Sequence, residues 1–242
     1  MLLNDYKSIY IGNKEVKKIF YNNQKYYPLN TEPNPFEVYS WQEIKDIVVS
    51  GEAPNRIPLG TTFSYIRNTN LNAIQENAMV VDYVYNNKPT LVVFVPYELR
   101  EYWTSSGKQK VAYSSSYPYS NLSNIKMENL EEGFRNILCQ RNITFNVPGG
   151  TKDSRTVYFT LPSVSEVTKN TIDTYADHGT LEYFKENPNY ENPLGRYAWT
   201  RTCYPYNNVQ TYIYQGAKTI GMNNYYSNRT QYYVFFLLFI GE

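Results

Sequence analysis

The sequence predicts an α+β fold: a body of short antiparallel strands supported by two principal helices, with a small β-hairpin appendage ahead of it. Three observations carry that expectation. A complete helix-start signal sits at Ser40. Alternating or fully apolar runs recur between Asn- and Gly-rich turns. The chain closes on "VFFLLFI", Val234 to Ile240, which falls far short of the ~20 residues of a membrane helix and reads as a strand buried on both faces.

In chain order, "SIYIGNKEVKKIFYNNQKYYP" alternates as strands do. Ile9 and Ile11 share a face, and Gly12-Asn13 and Asn22-Asn23 separate three short strand-like pieces. So small a unit cannot bury a core of its own. Residues 1–30 are therefore expected to dock, on the rest of the chain or on another protein. In "LNTEPNPFE", Pro28, Pro33 and Pro35 predict an extended linker over 31–37. The body, 38–242, starts with a helix: Ser40 and Glu43 form a capping box, Trp41, Ile44, Ile47 and Val48 follow at helical spacing, and Gly51 stops it. "TTFSYI", "AMVVDYVYNN" and "TLVVFVPYEL" read as strands, with Asn86-Asn87 in the turn joining the last two.

Ser105 to Asn121 is polar and predicts a loop. Met127, Leu130, Phe134, Ile137 and Leu138 then form an apolar stripe that predicts the second helix. "NVPGGTKDS" reads as a loop, "TVYFTLP" as a strand, "SVSEVTK" as the start of a short helix, and "GTLEYFKENPNYENPLG" as a brief helix followed by loop. Strands broken by turns occupy the remainder.

Composition narrows the function classes. A chain of 242 residues can bury roughly 70–75% of its unfolded surface, so it needs no staples. Cys139 and Cys203 are either one bridge or two buried thiols. A net charge of +1 gives no field to attract nucleic acid or anionic lipid. The surplus of Lys7, Lys14, Lys17, Lys18 and Lys25 over Asp5 and Glu15 reads as a solvated face, and "MLLNDYK" lacks the pattern of a signal peptide. The single histidine, His178, cannot complete a zinc set with two cysteines. It also lacks a G-x-S-x-G nucleophile, and both Gly-rich phosphate loops are missing. Among 22 acidic residues nothing singles out a glycosidase pair. No catalytic residue, metal or cofactor is expected, no nucleic-acid partner, and no membrane insertion.

Arg201 invites a specific expectation. On an alternating strand Tyr197, Trp199, Arg201 and Cys203 share a face. If bulky Trp199 points inward, Arg201 does too, and a buried guanidinium needs a partner. Glu166 is the candidate for an architectural pair; the alternative is an Arg that snorkels to solvent.

The order of motifs resembles a family. "SWQEIKDIVVSGEAPNRIPLGTTF", a strand pair, a helix after "YSNLSNIK", "VYFTLPSVSEV", "YAWTRT" and a terminal apolar strand together are similar to C-type-lectin-like domains of uncharacterised function found in bacteriophage virion proteins and Firmicutes. The family's W-[LT]-R-[ST] strand corresponds to Trp199, Arg201 and Thr202, and its [LF]-x-S-x-x-E segment to Leu161, Ser163 and Glu166. Separately, "IYIGNKEVKKIFYNNQKYYP" resembles a motif that opens many phage tail and capsid-associated proteins. The resemblance implies a C-type-lectin-like body and a virion location, as a tail or head fibre or a capsid decoration. Ile9, Ile11, Val16, Ile19 and Tyr21 would dock onto other virion proteins. Projecting phage proteins are often trimers, so a homotrimer is the assembly to test.

The chain also departs from the family. Its last strand lacks the usual V-R-P-A. "EPN" at Glu32 to Asn34 lies in the linker with no "WND", so calcium-dependent sugar binding is not expected. The placement of Cys139 within a helical stripe argues against the cysteine pair of formylglycine-generating enzymes.

From Tyr204 to Tyr233 the chain carries eight of its 27 tyrosines. Those beside apolar residues, such as Tyr233, belong to the core. Tyr204, Tyr206, Tyr212, Tyr214, Tyr225 and Tyr226 lie among Asn, Gln and Ser, including Asn207 and Asn223. That mixture has the composition of antibody paratopes, where Tyr gives contact area and Asn and Ser give adaptable hydrogen bonds. The resemblance implies that this part forms the exposed face. Its contact is either a host-surface glycan or protein, or a neighbouring subunit or virion protein. The expected function is host attachment by a virion protein, with a purely structural decoration as the alternative and a glycan-degrading enzyme behind both.

Overall fold

The computed structural model describes residues 33–68, 72–103, 112–123, 125, 127–147, 150–168, 179–188, 190, 197–203, 211–214, 220–222 and 232–242, together with strand segments at 10–11, 14–15, 19–21 and 24–27. The chain divides into two compact units, Met1–Val38 and Tyr39–Glu242.

The first unit contains two hairpins. β1 (Tyr10–Ile11) pairs with β2 (Lys14–Glu15), and β3 (Ile19–Tyr21) pairs with β4 (Gln24–Tyr27). Four strand segments thus stand where the sequence suggested three. The expected extended linker contains one helical turn, α1 (Pro35–Val38). Proline at the first helical position has no N–H to lose and a φ already suited to a helix. The Asn34 side chain accepts from the Phe36 N–H at 3.1 Å and closes the turn's N-terminus.

The second unit mixes helix and sheet around one large sheet. Its helix α2 (Trp41–Val49) starts with the expected capping box and ends at Gly51, which takes φ +78°. Ile44, Ile47 and Val48 are buried as α2 packs on the sheet. After the short α3 (Ala53–Arg56) come β5 (Thr62–Asn68), β6 (Ala73–Tyr85) and β7 (Lys88–Glu101), consecutive antiparallel neighbours. Asn86 and Asn87 join β6 to β7 with φ of 52° and 59°. Two successive positive φ values match the twist of the flanking strands, which is why a two-residue turn selects Asn here.

The described sheet runs β13-β12-β11-β14-β7-β6-β5, where β11 is Ala198–Cys203, β12 Thr211–Tyr214, β13 Ile220–Met222 and β14 Tyr232–Gly241. β14 lies inboard. It pairs antiparallel with β7 along its length, from Tyr232↔Glu101 to Gly241↔Thr90. Its other edge pairs in parallel with β11 at Ala198↔Tyr233 and Trp199↔Val234, and farther along with β10 (Phe159–Thr160). Every residue from Val234 to Ile240 is at most 1% exposed, as expected of a strand covered on both faces. Pro96 is tolerated inside β7 because the pairing with β6 ends at Phe94, so beyond that point β7 is hydrogen-bonded to β14 alone.

Three expectations need correction. The Met127–Leu138 stripe is not one helix. It is a 3-10 turn (Met127–Asn129), a β-bridge from Leu130 to Arg67, the single turn α5 (Glu132–Arg135), and a β-bridge from Leu138 to Ile240. Sheet bridges claim the backbone at both ends of the stripe. In its middle a Cβ on Gly133 would stand 2.7 Å from Cδ1 of Trp41, so close approach to α2 fixes that position as Gly. Phe134 is buried beneath Trp41, with ring centroids 5.0 Å apart. The second principal helix is therefore absent from this stretch, and Cys139 follows outside any helix, donating its N–H to the Phe239 carbonyl. The formylglycine argument built on a helical Cys139 loses its premise.

The end of the expected loop 105–121 is also helical: a 3-10 turn (Tyr113–Ser115) and α4 (Tyr117–Ser123). Ser116 caps α4 by accepting from the Tyr119 N–H at 3.2 Å, and Pro118 sits harmlessly in its first turn. Finally, the expected loop "NVPGGTKDS" is part of a hairpin, β8 (Arg141–Val147) with β9 (Thr151–Val157). Two further short helices lie among the described residues, α6 (Val164–Val167) and α7 (Glu182–Glu186).

Candidate functional site

The strongest concentration of polar chemistry in the described body is a buried network joining β6, α6 and β11. Ser163 and Glu166 form a second capping box: the Ser163 hydroxyl accepts from the Glu166 N–H at 3.2 Å, and Glu166 Oε2 accepts from the Ser163 N–H at 2.8 Å. Glu166 then reaches the neighbouring strand. Arg201 Nη1 donates to Glu166 Oε2 at 2.6 Å, and Nη2 donates to Glu166 Oε1, giving a two-pronged ion pair with both side chains fully buried. The Tyr85 hydroxyl donates to Glu166 Oε1 at 2.7 Å and accepts from Arg201 Nη2 at 3.2 Å. Arg201 Nη1 also donates to the Leu161 carbonyl at 2.6 Å.

The surrounding backbone is held by the same strand. The Arg201 N–H donates to the Pro162 carbonyl at 3.0 Å, and the Thr202 hydroxyl accepts from the Val164 N–H at 2.8 Å. From the other side, the Tyr113 hydroxyl accepts from the Leu161 N–H at 3.0 Å. Burial pushes the Tyr113 pKa up to about 12, so it stays a neutral phenol. Burial also raises the Glu166 pKa, but the Arg201 charge, its hydrogen bonds, the Ser163 N–H and the Tyr85 hydroxyl outweigh it, leaving the carboxyl below its ordinary range. This is an architectural constellation. It has no exposed atom at which a substrate could react.

Trp199 lies next to the network, 1% exposed, with Trp103 at 5.3 Å and Tyr232 at 4.8 Å between ring centroids. Thr200 and Thr202 are as buried as Trp199 and Arg201, so β11 is covered on both faces. Cys139 is a free, buried thiol whose pKa burial raises.

The structure thus brings Trp199, Arg201 and Glu166 together. Of the tyrosine-rich set, Tyr212 and Tyr214 belong to β12, paired with Met222 and Ile220 of β13. Tyr204, Tyr206, Asn207, Asn223, Tyr225 and Tyr226 lie outside the described residues, as does His178. Among the expected docking residues, Ile11, Ile19 and Tyr21 belong to β1 and β3, while Ile9 and Val16 lie outside the described residues. The sequence reading missed Tyr85 and Tyr113. The signal available was weak: a tyrosine closing an apolar strand, and a tyrosine in a serine-rich stretch.

Among the described residues, no group of three or more His, Cys, Asp or Glu is placed to hold a metal ion, and no helix is long and apolar enough to cross a membrane. The chain matches no protein-family model, no curated protein and no solved structure.

Proposed function

We propose that the chain is a bacteriophage virion protein in which residues 1–30 dock onto the particle and a C-type-lectin-like body binds the host surface, with cell-wall glycan as the ligand class. The observation that carries this reading is where the tyrosine-rich stretch falls in the sheet. It supplies β12 and β13, the outermost described strands of one flank, while the apolar run Val234–Ile240 of β14 and its partner β7 lie inboard. Tyr212 and Tyr214 belong to that flank, and tyrosine suits contact with another molecule, because the phenol offers an apolar face and a hydroxyl together. Support for the lectin-type fold comes from Arg201 and Glu166: they belong to the two motif segments on which the resemblance rests, and they pair with each other.

The test is sedimentation of the purified chain with isolated Firmicutes cell walls. Saturable binding is expected, and its loss in Tyr225→Ala/Tyr226→Ala at unchanged melting temperature supports adhesion. Absence of binding to every wall preparation overturns the adhesion reading and leaves a structural decoration; release of reducing sugar overturns it in favour of a glycan-degrading enzyme.

A further inference from the structure

The body contains a groove that none of the preceding expectations used. It lies between α4 and the corner where β9 passes into β10, and it encloses about 450 Å³, within the range of small-molecule sites. Tyr119 and Tyr158, both half-buried, line it together with Ser123, Gln140, Thr156 and the buried ring of Phe159. None of the described lining residues is charged. Within the described residues, the hydroxyls of Tyr119, Tyr158, Ser123 and Thr156 and the amide of Gln140 engage in no side-chain hydrogen bond.

We propose that this groove is a binding subsite for a neutral saccharide. A pyranose ring presents an apolar C–H face and a rim of hydroxyls, each both donor and acceptor. Aromatic side chains suit the first. An amide and hydroxyls, which also both donate and accept, suit the second. An anionic ligand, whether phosphate or uronic acid, would find no cation among the described lining residues.

The walls are packed against the core, as a preformed site requires. The Tyr119 ring stands edge-on to the Tyr113 ring at 5.2 Å, and Tyr113 is itself fixed by the Leu161 N–H. Phe159 packs edge-on against Phe236 at 5.8 Å and is in register with Leu238 of β14. Ser123, Gln140 and Thr156 are exposed at the rim, so ligand hydroxyls could replace water there without disturbing the core. The inference rests on the glycan-binding reading for its ligand class, but it uses different residues from the tyrosine-rich flank.

The experiment is a titration of the full chain, followed by amide chemical shifts, with maltotriose, with triacetylchitotriose, and with trigalacturonate as the anionic comparison. At least one neutral trisaccharide is expected to give saturable shifts. Tyr158→Ala should weaken that binding about tenfold through loss of an aromatic face. Thr156→Arg, an exposed position that tolerates substitution, should abolish it by filling the groove. Tyr225→Ala/Tyr226→Ala should leave it unchanged. The assignment is overturned if neither neutral sugar saturates, if Thr156→Arg binds as the parent does, or if trigalacturonate binds more tightly. Wall binding that survives Thr156→Arg while neither neutral sugar saturates removes this subsite and leaves adhesion standing. Sugar binding in the groove without any wall binding does the reverse.

Discussion

The four-residue Ser-x-x-Glu cap occurs twice in the body with the same reciprocal pair of backbone-to-side-chain hydrogen bonds and opposite surroundings. At Ser40 and Glu43 it opens α2 at the surface: the Ser40 N–H and hydroxyl both donate to Glu43 Oε2 at 2.8 Å, and the residue is exposed. At Ser163 and Glu166 it opens α6, a helix of one turn, in the core. There the carboxylate could not remain ionised on the cap alone. It does so because Arg201 supplies a counter-charge and Arg201 and Tyr85 supply hydrogen bonds, in place of the solvent to which Glu43 is exposed. One local motif thus serves as a modest helix signal in one place and as a junction between distant segments in the other. Burial and a partner across the sheet decide which.

The sharpest way to break the contrast is Arg201→Met. It leaves Glu166 buried with its main counter-charge removed, and a loss of about 3–5 kcal/mol is expected in urea unfolding. Arg201→Met combined with Glu166→Met should recover much of that loss, since two apolar groups of similar volume leave no charge stranded. A single variant as stable as the parent would show that the pair carries no structural load.

A smaller effect is expected from acid. The folded-state pKa of Glu166 is lowered from the ordinary 4.5, so its contribution is complete above that value and is lost as pH falls below it. The urea midpoint of the parent should therefore drop through the acid range, and Glu166→Gln should show a shallower slope there; equal slopes would contradict the assignment.

The smallest effect belongs to the surface cap. Ser40→Ala should cost about 0.5–1 kcal/mol, without a change in the sheet's spectroscopic signature. A loss as large as that of Arg201→Met would erase the distinction between the two caps.

What was legible in the sequence follows from how local each signal is. Ser40, Glu43, the Ile44–Val48 stripe and Gly51 state a helix within a dozen residues, and α2 forms there. The pairing of Arg201 with Glu166 was inferable because Trp199 and strand alternation fix a direction, and a guanidinium turned inward must find an acid. The apparent second helix failed because the apolar stripe from Met127 to Leu138 is spent on bridges to Arg67 and Ile240, contacts between residues far apart in sequence. The β8–β9 hairpin was hidden because β9, "TKDSRTV", is largely exposed and so shows no alternation. Nothing local marks β14 as the parallel neighbour of β11.

That last arrangement has a consequence for biosynthesis. The strand between β7 and β11 is translated after both, so the halves it joins must wait, unsealed, while the ribosome works through the tyrosine-rich segment. Folding of the sheet is then a closing event governed by long-range pairing, which is slow. A nascent chain stopped before residue 232 would lack the middle of its sheet, exposing the apolar edges of two incomplete fragments to chaperones and proteases.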